Sequence, residues 1–414
     1  MNQTVYNTRV MRNQRLANLA AGYLFPEVAR RRRAFQEANP GDRVISLGIG
    51  NTTEALSPHI VAGLRHETER LGTREGYSGY GDEQGLPALR AKIAQKLYRC
   101  PIDASEVFVS DGAKCDIARL QAMFGPDVRI AVQDPAYPVY VDGSVIAGAA
   151  GAPAADGSGY DGIAYLPCKP ANGFFPNLGA APATDLIYFC SPNNPTGACA
   201  TRTQLEELVA FARRNGSIII YDAAYAEYIS APSIPRSIFE IAGAREVALE
   251  VNSFSKPIGF TGVRLGWTVV PKELCFADGT PVSKDWNRVM TTLFNGASNI
   301  AQAGGLAALD DAGLAEMRAS VAYYMGNAAL IRACLDDLGV RTYGGTDAPY
   351  IWAHYPGMSS WDAFEDILST CAVVSTPGSG FGPEGEGFLR FSAFGHRDDV
   401  EEAVRRLKKR ARKV

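Results

Sequence analysis

The sequence predicts an α/β protein, a mostly parallel sheet wound with helices, joined to a smaller α+β domain. Two observations carry this. Between residues 57 and 299 short β-branched runs alternate with helical stretches, which is the pattern of a parallel sheet with covering helices. After about residue 300 a long helix-like segment, 301–338, leads into a C-terminal part with strands of its own at 350–354 and 387–392. At 414 residues, with 46% hydrophobic and 21% charged, the chain is long enough for two packed cores. The expected division is a large domain over 51–299 and a small domain built from 1–50 and 300–414, with an N-terminal arm.

The strands of the large domain are expected at 106–110, 129–133, 185–190, 217–221 and 247–252, short apolar runs each followed by polar, Gly-rich or Pro-rich residues. Residues 203–214, with Leu205, Leu208, Val209 and Phe211 on one stripe, read as a covering helix. The Ala- and Gly-rich stretch 147–159 reads as a surface excursion. A helix is expected from Asp398 onward, its cations at 405–413 suiting the negative end of the dipole. There is no internal repeat.

Several function classes are set aside by composition. A formal net charge of −3 gives no electrostatic reason to expect nucleic acid, and the basic runs 30–33 and 405–413 read as solvated helix faces. Apolar stretches are interrupted well before the ~20 residues of a membrane span, and residues 1–12 lack the apolar core of a signal peptide, so a soluble, cytoplasmic protein is expected. The eight Cys form no C-x-x-C pair and are expected as reduced thiols, and the four His stand at no metal-ligand spacing, so no bound metal is expected.

In an open parallel sheet the ligand lies beyond the carboxyl ends of the strands, and every unusual motif of this chain falls there. After 247–252 come Ser253-Phe254-Ser255-Lys256 and then Gly262-Val263-Arg264-Leu265-Gly266-Trp267. An arginine fork between glycines suits a phosphate, which needs several donors and close backbone approach. Three isoleucines deliver Asp222, with Tyr225 three residues on; the acid is either a helix cap or the partner of a pyridinium nitrogen. The loop 191–197 presents Asn194. Asp111-Gly112-Ala113-Lys114 precedes a helical stretch expected from about Asp116, an anion cradle. Asp134-Pro135-Ala136-Tyr137-Pro138 puts Tyr137 on the same rim, as a core residue or as a stacker on a flat ring.

The set S-F-S-K, G-V-R-L-G-W, Y-D-A-A-Y and N-N-P-T-G, in this order, resembles the fold-type I aminotransferases, of the aspartate-aminotransferase-like fold. The resemblance covers most of the chain and implies pyridoxal 5′-phosphate as cofactor. It further implies Lys256 as the Schiff-base lysine, Asp222 on the pyridine nitrogen, Asn194 and Tyr225 on the ring oxygen, and Tyr137 stacked on the ring. Ala113, Lys114, Ser253, Ser255 and Arg264 would surround the phosphate. Lys256, Asp222 and Tyr137 would form the catalytic set. A homodimer with shared active sites is implied as well, with Tyr80 reaching the neighbour's phosphate and Arg390, in F-L-R-F-S, taking the substrate α-carboxylate.

Within that family the segments at 21–26, 47–54, 76–81, 110–116 and 294–299 resemble the branch acting on LL-diaminopimelate. That branch transfers the amino group of L-glutamate to ring-opened tetrahydrodipicolinate, giving LL-diaminopimelate and 2-oxoglutarate, in lysine and diaminopimelate synthesis. Substrate contacts are then implied for Tyr23, Gly50, Glu83 and Asn295, beside Lys114, Tyr137, Asn194 and Arg390. The distal ammonium asks for a carboxylate such as Glu83, with Asp82 as its neighbour, and the distal carboxylate for donors such as Lys114 and Asn295. Asn51 and Ala55 stand where the branch usually has Asp and Pro. The competing readings are an aminotransferase of the same fold for aspartate or an aromatic amino acid, and a cofactor-binding transcriptional regulator, disfavoured because only about fifty residues precede the sheet.

Overall fold

The computed structural model describes residues 8–19, 24–155 and 159–411. Its centre is a seven-stranded sheet of β1 (Val107–Ser110), β2 (Ile130–Asp134), β3 (Ile163–Pro167), β4 (Leu186–Cys190), β5 (Ile218–Asp222), β6 (Ala248–Ser253) and β7 (Gly266–Val269). The order across the sheet is β1-β7-β6-β5-β4-β2-β3. Every pairing is parallel except those of β7, which runs against both β1 and β6.

Alternation along the strands explains why both faces are covered. Val107, Val109, Ile187, Phe189, Ile219 and Tyr221 point into one apolar cluster, whereas Phe108, Leu186, Tyr188, Ile220, Leu249 and Val251 point into another. Period-two side chains on a sheet buried on both sides read as continuous apolar runs, the signal that locates these strands in the sequence. The helix Arg202–Asn215 lies on the first cluster through Leu205, Leu208, Val209 and Phe211. It starts on a reciprocal cap: the Thr201 hydroxyl accepts from the Gln204 amide at 3.3 Å, and Gln204 Oε1 accepts from the Thr201 amide at 2.8 Å.

A third apolar cluster joins Leu24, Val28, Ile45 and Leu47 to Ile331, Ile351, Phe364, Leu389 and Val400. It packs against a four-stranded antiparallel sheet of β8 (Arg341–Gly344), β9 (Tyr350–His354), β10 (Thr376–Pro377) and β11 (Phe388–Ser392), in the order β10-β11-β9-β8. Among the described residues no helix is long and apolar enough to cross a membrane.

Two expectations are corrected. The sheet has seven strands where five were expected: β3 is an edge strand closed by Pro167, and β7 begins inside the glycine-bracketed arginine motif, so its strand character is masked by the motif. The helix expected at 301–338 is two helices, Asn299–Ala308 and Asp311–Asp337. Asp310 separates them, because its side chain accepts from the Gly313 amide at 2.9 Å and caps the second. The apolar periodicity runs through the break and hides it. The stretch 147–159 carries a bridge between Pro153 and Tyr160, and residues 156–158 lie outside the described residues.

Candidate active site

Beyond the carboxyl ends of the parallel strands lies a cavity of about 570 Å³. Its lining includes Gly50, Ala113, Lys114, Tyr137, Asn194, Asp222, Tyr225, Ser253, Ser255, Lys256, Arg264 and Arg390. Twelve of the residues singled out in the sequence are thus brought to one place from segments up to 340 positions apart.

One end of the cavity is rich in donors. β6 runs out at Ser253, whose hydroxyl accepts from the Ser255 amide at 3.0 Å and tightens the turn into Lys256. Phe254 between them is buried against Trp267 at 4.8 Å, which anchors the turn in the core. Arg264 sits at φ +69°, a left-handed conformation uncommon outside glycine, and its Nη1 donates to Ser255 Oγ at 3.1 Å and to the Thr261 carbonyl at 3.3 Å. Gly112, at φ +122°, makes room for it, since a Cβ there would meet Arg264 Nη2 at 2.5 Å. The helix after Gly112 starts at Ala113, three residues earlier than expected, so the helix N-terminus itself faces the cavity beside the arginine.

The other end carries a carboxylate. Asp222, the last residue of β5, is buried; its Oδ2 accepts from the Tyr140 hydroxyl at 2.7 Å and its Oδ1 from the Ala224 amide at 3.0 Å. It caps no α-helix, and the cap alternative survives only as that short turn bond. No cation is among its hydrogen-bond partners, and burial pushes its pKa up. Tyr140 is held in turn by stacking on Tyr188, centroids 5.4 Å apart, and meets the Tyr137 ring edge-on at 5.9 Å.

Between the two ends lies Lys256. Its Nζ donates to the Gly50 carbonyl and stands 5.5 Å from the centroid of the Phe394 ring. The amine reaches the cavity, yet the protein around it strips away bulk water, and Arg390, Arg264 and Lys114 repel a further positive charge, which together bring its pKa down to about 7. Gly50 has to be glycine, because any Cβ would collide with the hydroxyl of Tyr350. That hydroxyl bonds to Tyr225 Oη at 2.8 Å. Lys114 Nζ lies 5.6 Å from the Tyr137 ring centroid, and burial raises the Tyr137 phenol well above its ordinary range.

Arg390 on β11 is 1% exposed and forms no ion pair among the described residues. Its Nη1 donates to Asn194 Oδ1 at 2.7 Å and its Nη2 to the Gly48 carbonyl at 2.5 Å, while Nε has no partner among the described residues. Asn194 spends its oxygen on this bond and keeps its NH₂ for another acceptor. A buried guanidinium with a donor unspent suits a carboxylate.

Both poles fit the cofactor that the resemblance implies. A phosphate matches a donor-rich cradle built from a helix N-terminus, two hydroxyls and an arginine. A pyridinium supplies the missing cation at Asp222. Sequence reasoning missed Tyr140 and Tyr350, which act by touching Asp222 and Tyr225; the only local signal is the i,i+3 spacing of Tyr137 and Tyr140. Four expected residues are not brought in. Tyr80 is 88% exposed and Glu83 and Asn295 are exposed, all outside the lining, and Tyr23 lies outside the described residues. The loops carrying the first three are tied together by Asn299 Nδ2, which donates to Ser78 Oγ at 2.7 Å, and Gly296 packs on the Asp82 carbonyl.

Residues 42–407 match the model of a family described as aminotransferase class I and II. The chain is 58% identical over 407 residues to a probable chloroplastic LL-diaminopimelate aminotransferase of Oryza sativa subsp. japonica, covering 98% of this chain and 88% of that protein. It is 53% identical over 399 residues to an LL-diaminopimelate aminotransferase of Protochlamydia amoebophila (strain UWE25), covering 96% and 97%. Among solved structures it resembles the L,L-diaminopimelate aminotransferase from Chlamydomonas reinhardtii with a TM-score of 0.95 at 59% identity, over 98% of this chain and 100% of that one.

Proposed function

Because the chain belongs to the aminotransferase class I and II family, whose fold-type I members depend on pyridoxal 5′-phosphate, we propose that it exchanges an amino group between L-glutamate and LL-diaminopimelate. The keto partners are 2-oxoglutarate and the ring-opened form of tetrahydrodipicolinate, and the reaction serves lysine or diaminopimelate synthesis. The observation that carries the chemistry is Lys256, an amine held near neutrality between a phosphate cradle and a buried carboxylate. The choice of substrate is supported by relatives of that name at 53% to 58% identity over nearly the whole chain.

When bound, pyridoxal phosphate supplies an electron sink that makes the substrate Cα proton acidic. Ser253, Ser255, Arg264 and the amides at Ala113 and Lys114 would hold its phosphate, Asn194 and Tyr225 its ring oxygen, and Tyr137 would cover its ring. Asp222 would pair with a protonated ring nitrogen, whose positive charge would oppose the effect of burial on the carboxylate. Lys256 Nζ would hold the cofactor covalently and, as a free amine, would accept the substrate Cα proton and hand it on. Arg390 grips the α-carboxylate as a bidentate pair and fixes which Cα bond faces Lys256.

The reading includes a homodimer, supported by the exposure of Tyr80, Glu83 and Asn295 outside the cavity of a single chain. In it Tyr80 reaches the phosphate of the second copy, and Glu83, Asn295, Tyr23 and Lys114 hold the distal end of the substrate. The division into 51–299 and 1–50 with 300–414, supported by the separate apolar clusters, and a cytoplasmic site of action go with it.

The test is glutamate formation from 2-oxoglutarate with LL-diaminopimelate, meso-diaminopimelate, aspartate, tyrosine and lysine offered in parallel, for the parent and for Glu83→Gln. Preference for the LL isomer, weakened about tenfold in Glu83→Gln while glutamate use is spared, is the expected result for loss of a paired charge. Preference for aspartate or tyrosine would refute the substrate and leave the cofactor chemistry standing.

A further inference from the structure

The segment that leads into Arg390 is fastened to the loop that carries Tyr137. Between β10 and β11 the chain makes two short turns, Gly378–Phe381 and Pro383–Gly385, and these lie on the end of β2. The Ala136 amide donates to the Phe381 carbonyl at 2.8 Å. Asp134, the last residue of β2 and 2% exposed, accepts the Glu384 amide with Oδ1 at 3.1 Å and Oδ2 at 3.3 Å. Gly382 lies between these two bonds at φ +134°, and any Cβ there would strike the Asp134 carboxylate.

The fastened segment has a direct line to the carboxylate site. The Phe381 ring lies 4.9 Å from the Arg390 guanidinium carbon and meets the Trp352 ring edge-on at 6.1 Å. Among the described residues no acid pairs with Arg390, and its place is set by the Asn194 and Gly48 acceptors and by the rings around it. Phe381 is held at its carbonyl by the Tyr137 loop and bears with its ring on Arg390.

We infer that Asp134 is a positioning residue: by holding the turn at Glu384 it clamps Phe381 onto the Tyr137 loop and so sets the carboxylate-binding arginine at its working distance from that rim. Asp134 touches no substrate. The inference rests on the reading of Arg390 as the carboxylate site. A buried carboxylate spent on one backbone amide is a poor stabilising device, because its desolvation opposes the bond, and burial does push Asp134 up to about 7. The nearest charged groups, Glu384 and Lys169, are paired with each other at 2.6 Å. What the contact achieves is registry between two segments 250 residues apart. Misplacement of a substrate-orienting group by about 1 Å costs on the order of 10²-fold, so a loosened clamp has room to show.

The experiment compares the cofactor-loaded parent with Asp134→Ala, Asp134→Asn, Gly382→Ala and Arg390→Gln. Measured are KM and kcat for L-glutamate, the dissociation constant of glutarate as a non-reacting dicarboxylate read from cofactor absorbance, and the thermal midpoint. Asp134→Ala and Gly382→Ala are expected to weaken glutarate and raise KM at least about fivefold, with kcat changed less than about threefold, because uniform binding is what is lost. Asp134→Asn keeps an acceptor oxygen and is expected to restore most of the affinity, which a role in bulk stability would not produce. A smaller loss of glutarate affinity in both clamp variants, with Arg390→Gln still losing it, overturns the clamp alone. Glutarate binding indifferent to Arg390→Gln overturns the reading of Arg390 and the clamp with it. If Asp134→Ala does not fold, Gly382→Ala decides.

Discussion

Replacing Lys256 by methionine is expected to stabilise the cofactor-free protein, in a way that depends on pH. In the folded chain the amine is brought from the ordinary value of 10.5 down to about 7, first by burial and then by Arg390, Arg264 and Lys114. In the unfolded chain it returns to about 10.4. Between these values the unfolded state binds more protons, so stability rises with pH through that window: the penalty is fully present below about 7 and gone above about 10.5. A depression of about 3.5 pH units at about 1.36 kcal/mol each gives about 5 kcal/mol as an upper bound. With about 2.1 cal/mol/K of unfolding entropy per residue, 414 residues convert this to about 6 °C. Methionine keeps the volume of the stem and carries no charge. The assay is thermal unfolding of both cofactor-free proteins at pH 6.5, 8 and 9.5 at one scan rate. The midpoint of Lys256→Met is expected above that of the parent at pH 6.5, with a gap that narrows steadily toward pH 9.5. A gap of the same size at all three pH values would refute the account, because it would mean that Lys256 titrates as an ordinary lysine.

Two further outcomes follow from the site geometry. Arg264→Lys replaces a guanidinium fork by a point charge and leaves the left-handed backbone in place, so affinity for pyridoxal phosphate should fall roughly tenfold or more, measured by equilibrium dialysis. Tyr140→Phe removes the 2.7 Å donor from Asp222 while the ring still stacks on Tyr188, and should cost about 1.5 to 3 kcal/mol in cofactor affinity, as a hydrogen bond to a charged group does; unchanged affinity would show that the Ala224 amide suffices.

Five strands of the large sheet were legible because each is an apolar run that ends in a residue doing something unlike packing: Ser110 before the cradle, Asp134 before Tyr137, Cys190 before Asn194, Asp222, and Ser253 before Lys256. β7 was not, since its Gly266-Trp267 start belongs to the arginine motif, and the antiparallel pairing that makes it a strand is set by residues about 15 and 160 positions away. The same limit explains Tyr140 and Tyr350. Their partners Asp222 and Tyr225 lie 82 and 125 residues away, and no local pattern announces a hydroxyl aimed at a carboxylate across such a distance. The interruption at Asp310 was visible as an aspartate pair before Ala-Gly, yet apolar spacing outvoted it. Glu83 and Asn295 could be named from motif likeness, but the single chain leaves them outside the cavity.

The placement of Tyr80, Glu83 and Asn295 bears on how this protein can change over time. Asp222, Ser253 and Arg390 are embedded in strands whose every neighbour is packed, so replacing them disturbs the scaffold as well as the chemistry. Tyr80, Glu83 and Asn295 themselves are exposed on the single chain, and exposed positions of that kind tolerate substitution within about ±0.5 kcal/mol of its stability. On the proposed reading, in which these side chains hold the distal end of the substrate, change in them is almost free of consequences for the fold of the single chain. A lineage can try new donors at those positions one residue at a time while the machinery that handles the proton stays untouched.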